Sequence, residues 1–234
     1  MPEYLISELS VFFPAYNEEA NIKSTVLKAK KTLEGLAEKW EIIIVDDGSS
    51  DGTGLAADTL SRQDKRIKVV HHKPNRGYGG ALKSGFEKAK YEWVAFTDSD
   101  GQFDFGEIKK FIAKKDEADL ILGYRINRAD SLARKVFTFG WSAFARALLG
   151  LKVKDYSCGF KMVKKSAYNK LLPLVGEEKV TQIEMIVKAS RLGLKIVEVG
   201  VNHYPRTSGK QTGASLKVVA KSIADIITLW RKLK

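Results

Sequence analysis

The chain has 234 residues, 44% of them hydrophobic, enough for one large α/β core. No apolar run approaches the roughly 20 residues that cross a bilayer, and Pro2-Glu3-Tyr4 after Met1 lacks the basic and apolar regions of a secretory signal. The formal charge is +12, and the single cysteine, Cys158, excludes an intrachain disulfide and favours a reducing cytoplasm.

An apolar run from Leu9 ends at Pro14, and Asn17 is the expected cap of a helix with acids in its first turn. Glu41-Ile42-Ile43-Ile44-Val45 reads as a buried β-branched strand. Asp46-Asp47-Gly48-Ser49-Ser50-Asp51-Gly52-Thr53 then opens a second helix, with Ser49 or Ser50 as its cap. A third unit runs from Ile67-Lys68-Val69-Val70 through Asn75-Arg76-Gly77-Tyr78-Gly79-Gly80 into a helix from Ala81. Its glycines are read as permitting close backbone approach ahead of that helix, and the Gly-Lys-Ser/Thr ending of a P-loop is missing. His71 and His72 are read as structural, and His203 as a surface or hydrogen-bonded group.

The fourth strand, Trp93-Val94-Ala95-Phe96, empties into Asp98-Ser99-Asp100-Gly101-Gln102. Strands alternating with helices imply right-handed crossovers and a mostly parallel sheet, which holds its ligands at the carboxyl ends of its strands. Residues two apart on an extended segment share a face. Asp98 and Asp100 can therefore reach one hard divalent cation, to which Gln102 adds a neutral oxygen.

Charge divides the chain. Residues 1–124 carry −3, residues 125–170 carry +9, residues 171–205 balance and residues 206–234 carry +6. An acidic first half is unlike a nucleic-acid-binding surface and no nucleic-acid motif is present, so no nucleic-acid partner is expected. The basic second half should meet an anion, either a phosphate or an anionic lipid surface. Residues 131–151 read as helical, with Phe137, Phe139, Trp141 and Phe144 amid Arg134, Lys135 and Arg146. From Ser215 onward Leu216, Val219, Ile223, Ile226, Ile227, Trp230 and Leu233 fall on one helical face. Such a face packs on the sheet or lies on a membrane, and Trp230 beside Arg231, Lys232 and Lys234 suits an interface. Between a strand over residues 196–201 and that helix, the polar residues 206–213 read as a mobile lid or an exposed connector.

Pro14-Ala15-Tyr16-Asn17-Glu18, the Asp46 to Thr53 run, Asn75-Arg76-Gly77 and Asp98-Ser99-Asp100-Gly101-Gln102 occur in the order found in family 2 inverting glycosyltransferases, and the chain resembles that family. Within it the chain is similar to the dolichyl-phosphate (polyprenyl-phosphate) mannose synthase branch. Gly123-Tyr124-Arg125, Asp155-Tyr156-Ser157-Cys158-Gly159-Phe160-Lys161, Gln182-Ile183-Glu184-Met185 and Arg206-Thr207-Ser208-Gly209-Lys210 extend the likeness over nearly the whole chain. It departs at Gly123-Tyr124-Arg125-Ile126, where the branch usually has Gly-Ser-Arg-Tyr, and at Gly159-Phe160-Lys161, where it often has Gly-Phe-Arg.

The resemblance implies a GT-A α/β fold over residues 1–234 as a single domain. The first 124 residues would bind the nucleotide-diphosphate sugar and a Mg²⁺ or Mn²⁺ ion, and residues 125–234 the acceptor. It assigns Pro14, Tyr16, Glu18 and Asp46 to the donor pocket, with Asp47, Lys83 and Asp98 beside them. Asp98, Asp100 and Gln102 become metal ligands, with Asp100 and Arg125 at the chemistry, and Arg125, Arg134, Arg206 and Lys210 become acceptor-phosphate contacts. Relatives that glycosylate hydroxyls typically carry a Glu-Asp pair ahead of a helix beginning near Glu184; this chain has Thr181-Gln182. A hydroxyl needs a general base, whereas a phosphomonoester with a second pKa of about 6 is already an anion. The expectation is inverting transfer of a hexose, mannose from GDP-mannose first, onto polyprenyl or dolichyl phosphate at the cytoplasmic face of a membrane. The enzyme would be peripheral there, with or without a separate membrane partner. Alternatives are the same transfer from UDP-glucose, transfer to a saccharide hydroxyl, and a nucleotide-sugar-binding membrane-surface protein without turnover.

Overall fold

The computed structural model describes residues 4–126, 149–176, 180–206 and 226–231. The elements in chain order are β1 (Ile6–Ala15), α1 (Glu19–Glu34), β2 (Ala37–Asp46), α2 (Thr53–Gln63), β3 (Ile67–His71), α3 (Gly77–Lys88) and β4 (Trp93–Phe96). They continue with α4 (Ile108–Ile112), β5 (Leu120–Ile126), β6 (Lys161–Lys164), α5 (Lys165–Lys170), α6 (Val180–Arg191) and β7 (Ile196–Asn202). Residues 226–231 are helical. Arg134, Lys210, most of the lid and nearly all of the two aromatic-basic stretches lie outside the described residues.

The strands form one seven-stranded sheet in the order β3-β2-β1-β4-β6-β5-β7. All neighbours are parallel except β6, which runs antiparallel to both β4 and β5. The six parallel strands therefore deliver their carboxyl ends to one edge, while β6 brings its amino end, Lys161, to that same edge. The expected mostly parallel α/β sheet is present, with this reversed strand added.

Alternation along β1 shows why the sheet is covered on both sides. Val11 and Phe13 join Ile22, Val26, Leu33, Leu60 and Phe111 in one buried cluster. Phe12 points the other way, into a cluster with Leu82, Phe86, Phe96, Ile183, Ile186, Ile226 and Leu229. Phe12 stacks on Phe96 at 5.1 Å and meets Phe86 edge-on at 5.1 Å, and Phe86 stacks on Tyr168 at 4.0 Å. Full burial of one such ring stabilises by roughly 2–3 kcal/mol, so these rings fix α3 and α5 against the strand that carries the acidic turn.

Several local expectations are corrected. Asn17 does not cap α1. It adopts φ 56°, accepts from the Ser50 N–H at 2.8 Å through its side chain, and donates its own N–H to Ser49 Oγ at 3.0 Å. Ser49 and Ser50 are thereby committed to the β1–α1 turn, the N-cap of α2 is Gly52, with no side-chain cap, and Asp51 just ahead of it accepts from the Thr53 N–H at 2.9 Å. Gly77, Gly79 and Gly80 lie within α3 rather than ahead of it, since the Asn75 side chain accepts from the Gly77 N–H and starts the helix there. The helix expected near Glu184 is already formed at Val180. Glu184 faces back and accepts from the N–H groups of Val175 and Gly176, holding the incoming chain against the second turn.

Candidate active site

At the end of β1 the Pro14 carbonyl accepts from Ser99 Oγ at 2.8 Å, so the first loop is fastened to the acidic turn beyond β4. Tyr16 is half exposed beside it. Glu18 is buried, accepts from Asn21 Nδ2 at 2.7 Å and forms an ion pair with Arg206. An open cleft of about 430 Å³, lined by Asn17, Glu18, Glu19, Asn21 and Asp51, lies alongside.

At the end of β2 the two aspartates are buried and already engaged. Asp46 accepts from the Ser49 N–H at 3.1 Å and lies 2.9 Å from His71 Nδ1, whose other ring nitrogen is 3.0 Å from Asp58. Burial lowers the His71 pKa, but the two carboxylates outweigh it and raise the net value, favouring the imidazolium. Asp47 lies 2.6 Å from His72 Nδ1 and accepts from the Arg76 N–H at 2.8 Å, while His72 Nε2 is 2.9 Å from Ser84 Oγ. Both histidines hold loops in place, as the sequence suggested. Gly48, which follows Asp47, has φ 71°, and a Cβ there would lie 2.9 Å from the Asn75 nitrogen. Only glycine fits this turn. Lys83 is half-buried on α3.

The turn after β4 forms the centre. Asp98 accepts from the Tyr78 hydroxyl at 2.9 Å, and Asp100 accepts from the Gln102 N–H at 3.1 Å. Burial and the adjacent Asp98 charge push the Asp100 carboxyl up to about 6, the behaviour of two carboxylates facing one site. Gln102 Nε2 donates to the Tyr204 carbonyl at 2.9 Å, and the Tyr204 N–H returns a 2.9 Å bond to the Gln102 carbonyl. The Gln102 amide oxygen remains as its donor atom. Arg206 NH1 stands 3.9 Å from Asp100 Oδ2, so Glu18, Asp100, Gln102 and Arg206 are brought together from the ends of three strands.

Among the described residues, no cluster of three or more Asp, Glu, His or Cys forms a closed metal cage. Two carboxylates and one amide oxygen fit instead a Mg²⁺-like or Mn²⁺-like ion, which keeps positions open for the phosphates of a substrate. The mutual repulsion carried by Asp100 is what such an ion relieves.

Asp98 has further neighbours that the sequence left unremarked. Gln182 Nε2 donates to the Tyr78 hydroxyl at 2.8 Å, and Lys161 Nζ donates to both Gln182 Oε1 and the Cys158 carbonyl. Burial lowers the Lys161 pKa to about 8 and raises the Cys158 thiol to about 11, so the thiol is no nucleophile. A Cβ on Gly159 would lie 2.3 Å from Asp98 Oδ2, which places this backbone against the carboxylate. The signals were present in the motifs around Tyr78 and Lys161, but only tertiary pairing joins residues 104 apart.

Arg125, at the end of β5, does not stand open. Its Nε and NH2 donate to the two Asp155 oxygens at 2.7 and 3.0 Å, and NH2 also reaches Ser157 Oγ at 2.7 Å. Burial pushes the Asp155 carboxyl up, but Arg125 and the Ser157 hydroxyl outweigh it and hold it at about 2. Asp155 is thus the partner that fixes the guanidinium.

Comparison with known proteins agrees with this architecture. Residues 10–172 match the glycosyl transferase family 2 model. Glycosyltransferase AglD of Haloferax volcanii is 32% identical over 87% of this chain and 34% of its own length. A dolichyl-phosphate beta-glucosyltransferase of Dictyostelium discoideum is 32% identical over 83% of this chain and 65% of its own. An undecaprenyl-phosphate mannosyltransferase of Micrococcus luteus is 28% identical over 93% and 91%. The chain thus spans about a third of the first of these relatives and just under two thirds of the second. In fold it superposes on glucosyl-3-phosphoglycerate synthase of Mycobacterium tuberculosis, solved with Mn²⁺, UDP and glucosyl-3-phosphoglycerate, with a TM-score of 0.73 and 21% identity over 95% of this chain and 78% of the other. With the paired-carboxylate turn on the carboxyl edge of a GT-A sheet, the chain belongs to glycosyl transferase family 2.

Proposed function

We propose that this protein transfers a hexose from a nucleotide-diphosphate sugar to a polyprenyl phosphate, with inversion. The observation that carries the acceptor is position 182. Where transfer to a hydroxyl would need a carboxylate base, the chain has Thr181 and Gln182, and the Gln182 amide is engaged on both sides by Lys161 and Tyr78. An acceptor that arrives already ionised needs no proton removed, and a phosphomonoester meets that condition.

The residues divide the work. Asp98 and Asp100, with the Gln102 oxygen, would hold a Mg²⁺ or Mn²⁺ ion; when bound, it supplies Lewis-acid neutralisation of the leaving nucleoside diphosphate. Pro14, Tyr16, Glu18, Asp46, Asp47 and Lys83 border the donor side. Arg206, paired with Glu18 and close to Asp100, offers a guanidinium to phosphate oxygens. Arg125, whose guanidinium Asp155 holds in place, is assigned to the acceptor phosphate, with Arg134 and Lys210 assigned to the same phosphate. Residues 1–124 serve the donor and 125–234 the acceptor within one domain.

Mannose from GDP-mannose is the expected donor. Glucose from UDP-glucose is the second reading, supported by the relative named as a glucosyltransferase. Among the described residues no helix is long and apolar enough to cross a membrane. The proposed site of action is the cytoplasmic membrane surface, with a separate membrane partner as a further element. The test is transfer of radiolabelled sugar from GDP-mannose and from UDP-glucose to a short polyprenyl phosphate, in Mn²⁺ and in EDTA. Cation-dependent label in the lipid fraction is expected. Donor hydrolysis with no lipid labelled would overturn the acceptor assignment.

A further inference from the structure

Side chains from three separate elements form one continuous line to Asp98. Lys161 at the head of β6 donates to Gln182 Oε1, Gln182 Nε2 on α6 donates to the Tyr78 hydroxyl at 2.8 Å, and that hydroxyl on α3 donates to Asp98 Oδ1 at 2.9 Å. Gln182 is 4% exposed and Lys161 1%, so water does not compete for the bond between them, while Tyr78 and Asp98 further along are half-buried. The direction of every proton follows from the lysine. An ammonium only donates, so the amide oxygen faces it and the amide nitrogen must face the tyrosine. A hydroxyl that receives from an amide has one proton to give, and it goes to the carboxylate.

We infer that Tyr78, Gln182 and Lys161 are positioning residues that hold the Asp98 carboxylate in its cation-binding orientation and thereby tie cation affinity to β6 and α6, the elements of the acceptor half. This inference rests on the reading of Asp98 and Asp100 as a divalent-cation site. Its sharpest consequence concerns amide polarity rather than shape. A glutamate at 182 has nearly the same outline but only accepts. It would draw the tyrosine proton to itself and strip Asp98 of its donor.

The experiment is the affinity for Mn²⁺ in the presence of UDP and of GDP, read from the electron paramagnetic resonance of free Mn²⁺. It is run on the whole chain and on Gln182→Glu, Tyr78→Phe and the double variant, with thermal melting to follow folding. Both single variants should bind Mn²⁺ roughly 10-fold to 100-fold more weakly, the effect of removing a group that orients a metal ligand. Nucleotide affinity without Mn²⁺ should not change. The double variant should be no weaker than Tyr78→Phe alone, because one line is broken once. Should Gln182→Glu melt early, Tyr78→Phe removes a single oxygen and decides alone. Mn²⁺ affinities within twofold of the parent would overturn the inference while leaving the cation site standing. A parent chain that binds no Mn²⁺ would overturn the cation reading itself, and the inference with it.

Discussion

Gly159→Ala separates the proposed chemistry from the fold. The added methyl would lie 2.3 Å from Asp98 Oδ2, 2.7 Å from its Cγ and 2.9 Å from Oδ1. Ordinary contact needs roughly 3.5 Å, so the carboxylate has to retreat by roughly 1 Å. It is the end of a short, partly exposed side chain, so it can swing away without moving the backbone. The stability loss should therefore stay near the low end of the roughly 1–3 kcal/mol typical of overpacking, a fall in melting temperature of about 2–4 °C. Function has no such escape, because the retreat breaks the Tyr78 bond and misplaces a cation ligand, and a 1 Å error at a reacting centre costs on the order of 100-fold. The assay is sugar transfer at saturating donor with Mn²⁺ titrated, alongside a melting curve. A variant that melts early but transfers sugar at the parental rate would refute the reasoning, since Asp98 could then be displaced without consequence.

Other outcomes follow from the same geometry. Asp100→Ala should abolish cation-dependent turnover while leaving the melting curve near the parental one; parental turnover in EDTA would contradict the cation role. Arg125→Ala should impair the use of polyprenyl phosphate more than donor binding, measured as separate KM values, and equal losses would move Arg125 away from the acceptor. Asp155→Asn removes the carboxylate that pairs with the Arg125 guanidinium and should cost about 3 kcal/mol by chemical denaturation. The same pair sets an acid limb. The Asp155 pKa is depressed in the folded chain to about 2 from 3.8, so its stabilisation is present above pH 4 and is lost as pH falls towards 2. That contribution is on the order of 2 kcal/mol, and Asp155→Asn should flatten this part of the stability profile.

The order of strands and acidic turns was legible because each depends on local pattern. β-branched runs ending in Asp, Gly and Ser mark the carboxyl edge, and Asp98 and Asp100 had to emerge there. What escaped was set by distant partners. Lys161-Met162-Val163-Lys164 is four residues with a lysine at each end, and nothing in its periodicity marks a strand; pairing with β4 and β5 makes it one. Asn17 looked like a cap until Ser49 and Ser50, 32 and 33 residues on, took its hydrogen bonds. Arg125 was legible as a cation at a strand end, but its lock, Asp155, was visible only as part of a motif. The charge split of the sequence locates the basic excess in the second half, where Arg125, Lys161 and Arg206 are described but Arg134 and Lys210 lie outside the described residues.

The reversed strand has a consequence for how the site comes into being. β4, which delivers Asp98, is only four residues long, and both of its neighbours are remote in sequence: Ser10 pairs with Val94 on one side, and Trp93 with Lys164 on the other. Neither pairing can form until a long loop has closed, and closure entropy is lost before any contact rewards it. The β1-β2-β3 sheet can assemble from nearer partners, but until β6 docks the acidic strand is a bare edge. The carboxylates are then unsupported and Lys161 has no amide to meet. A chain interrupted after β5 would keep both aspartates in its sequence and still lack the site, because the segment that completes it arrives from the far side, travelling against the rest of the sheet.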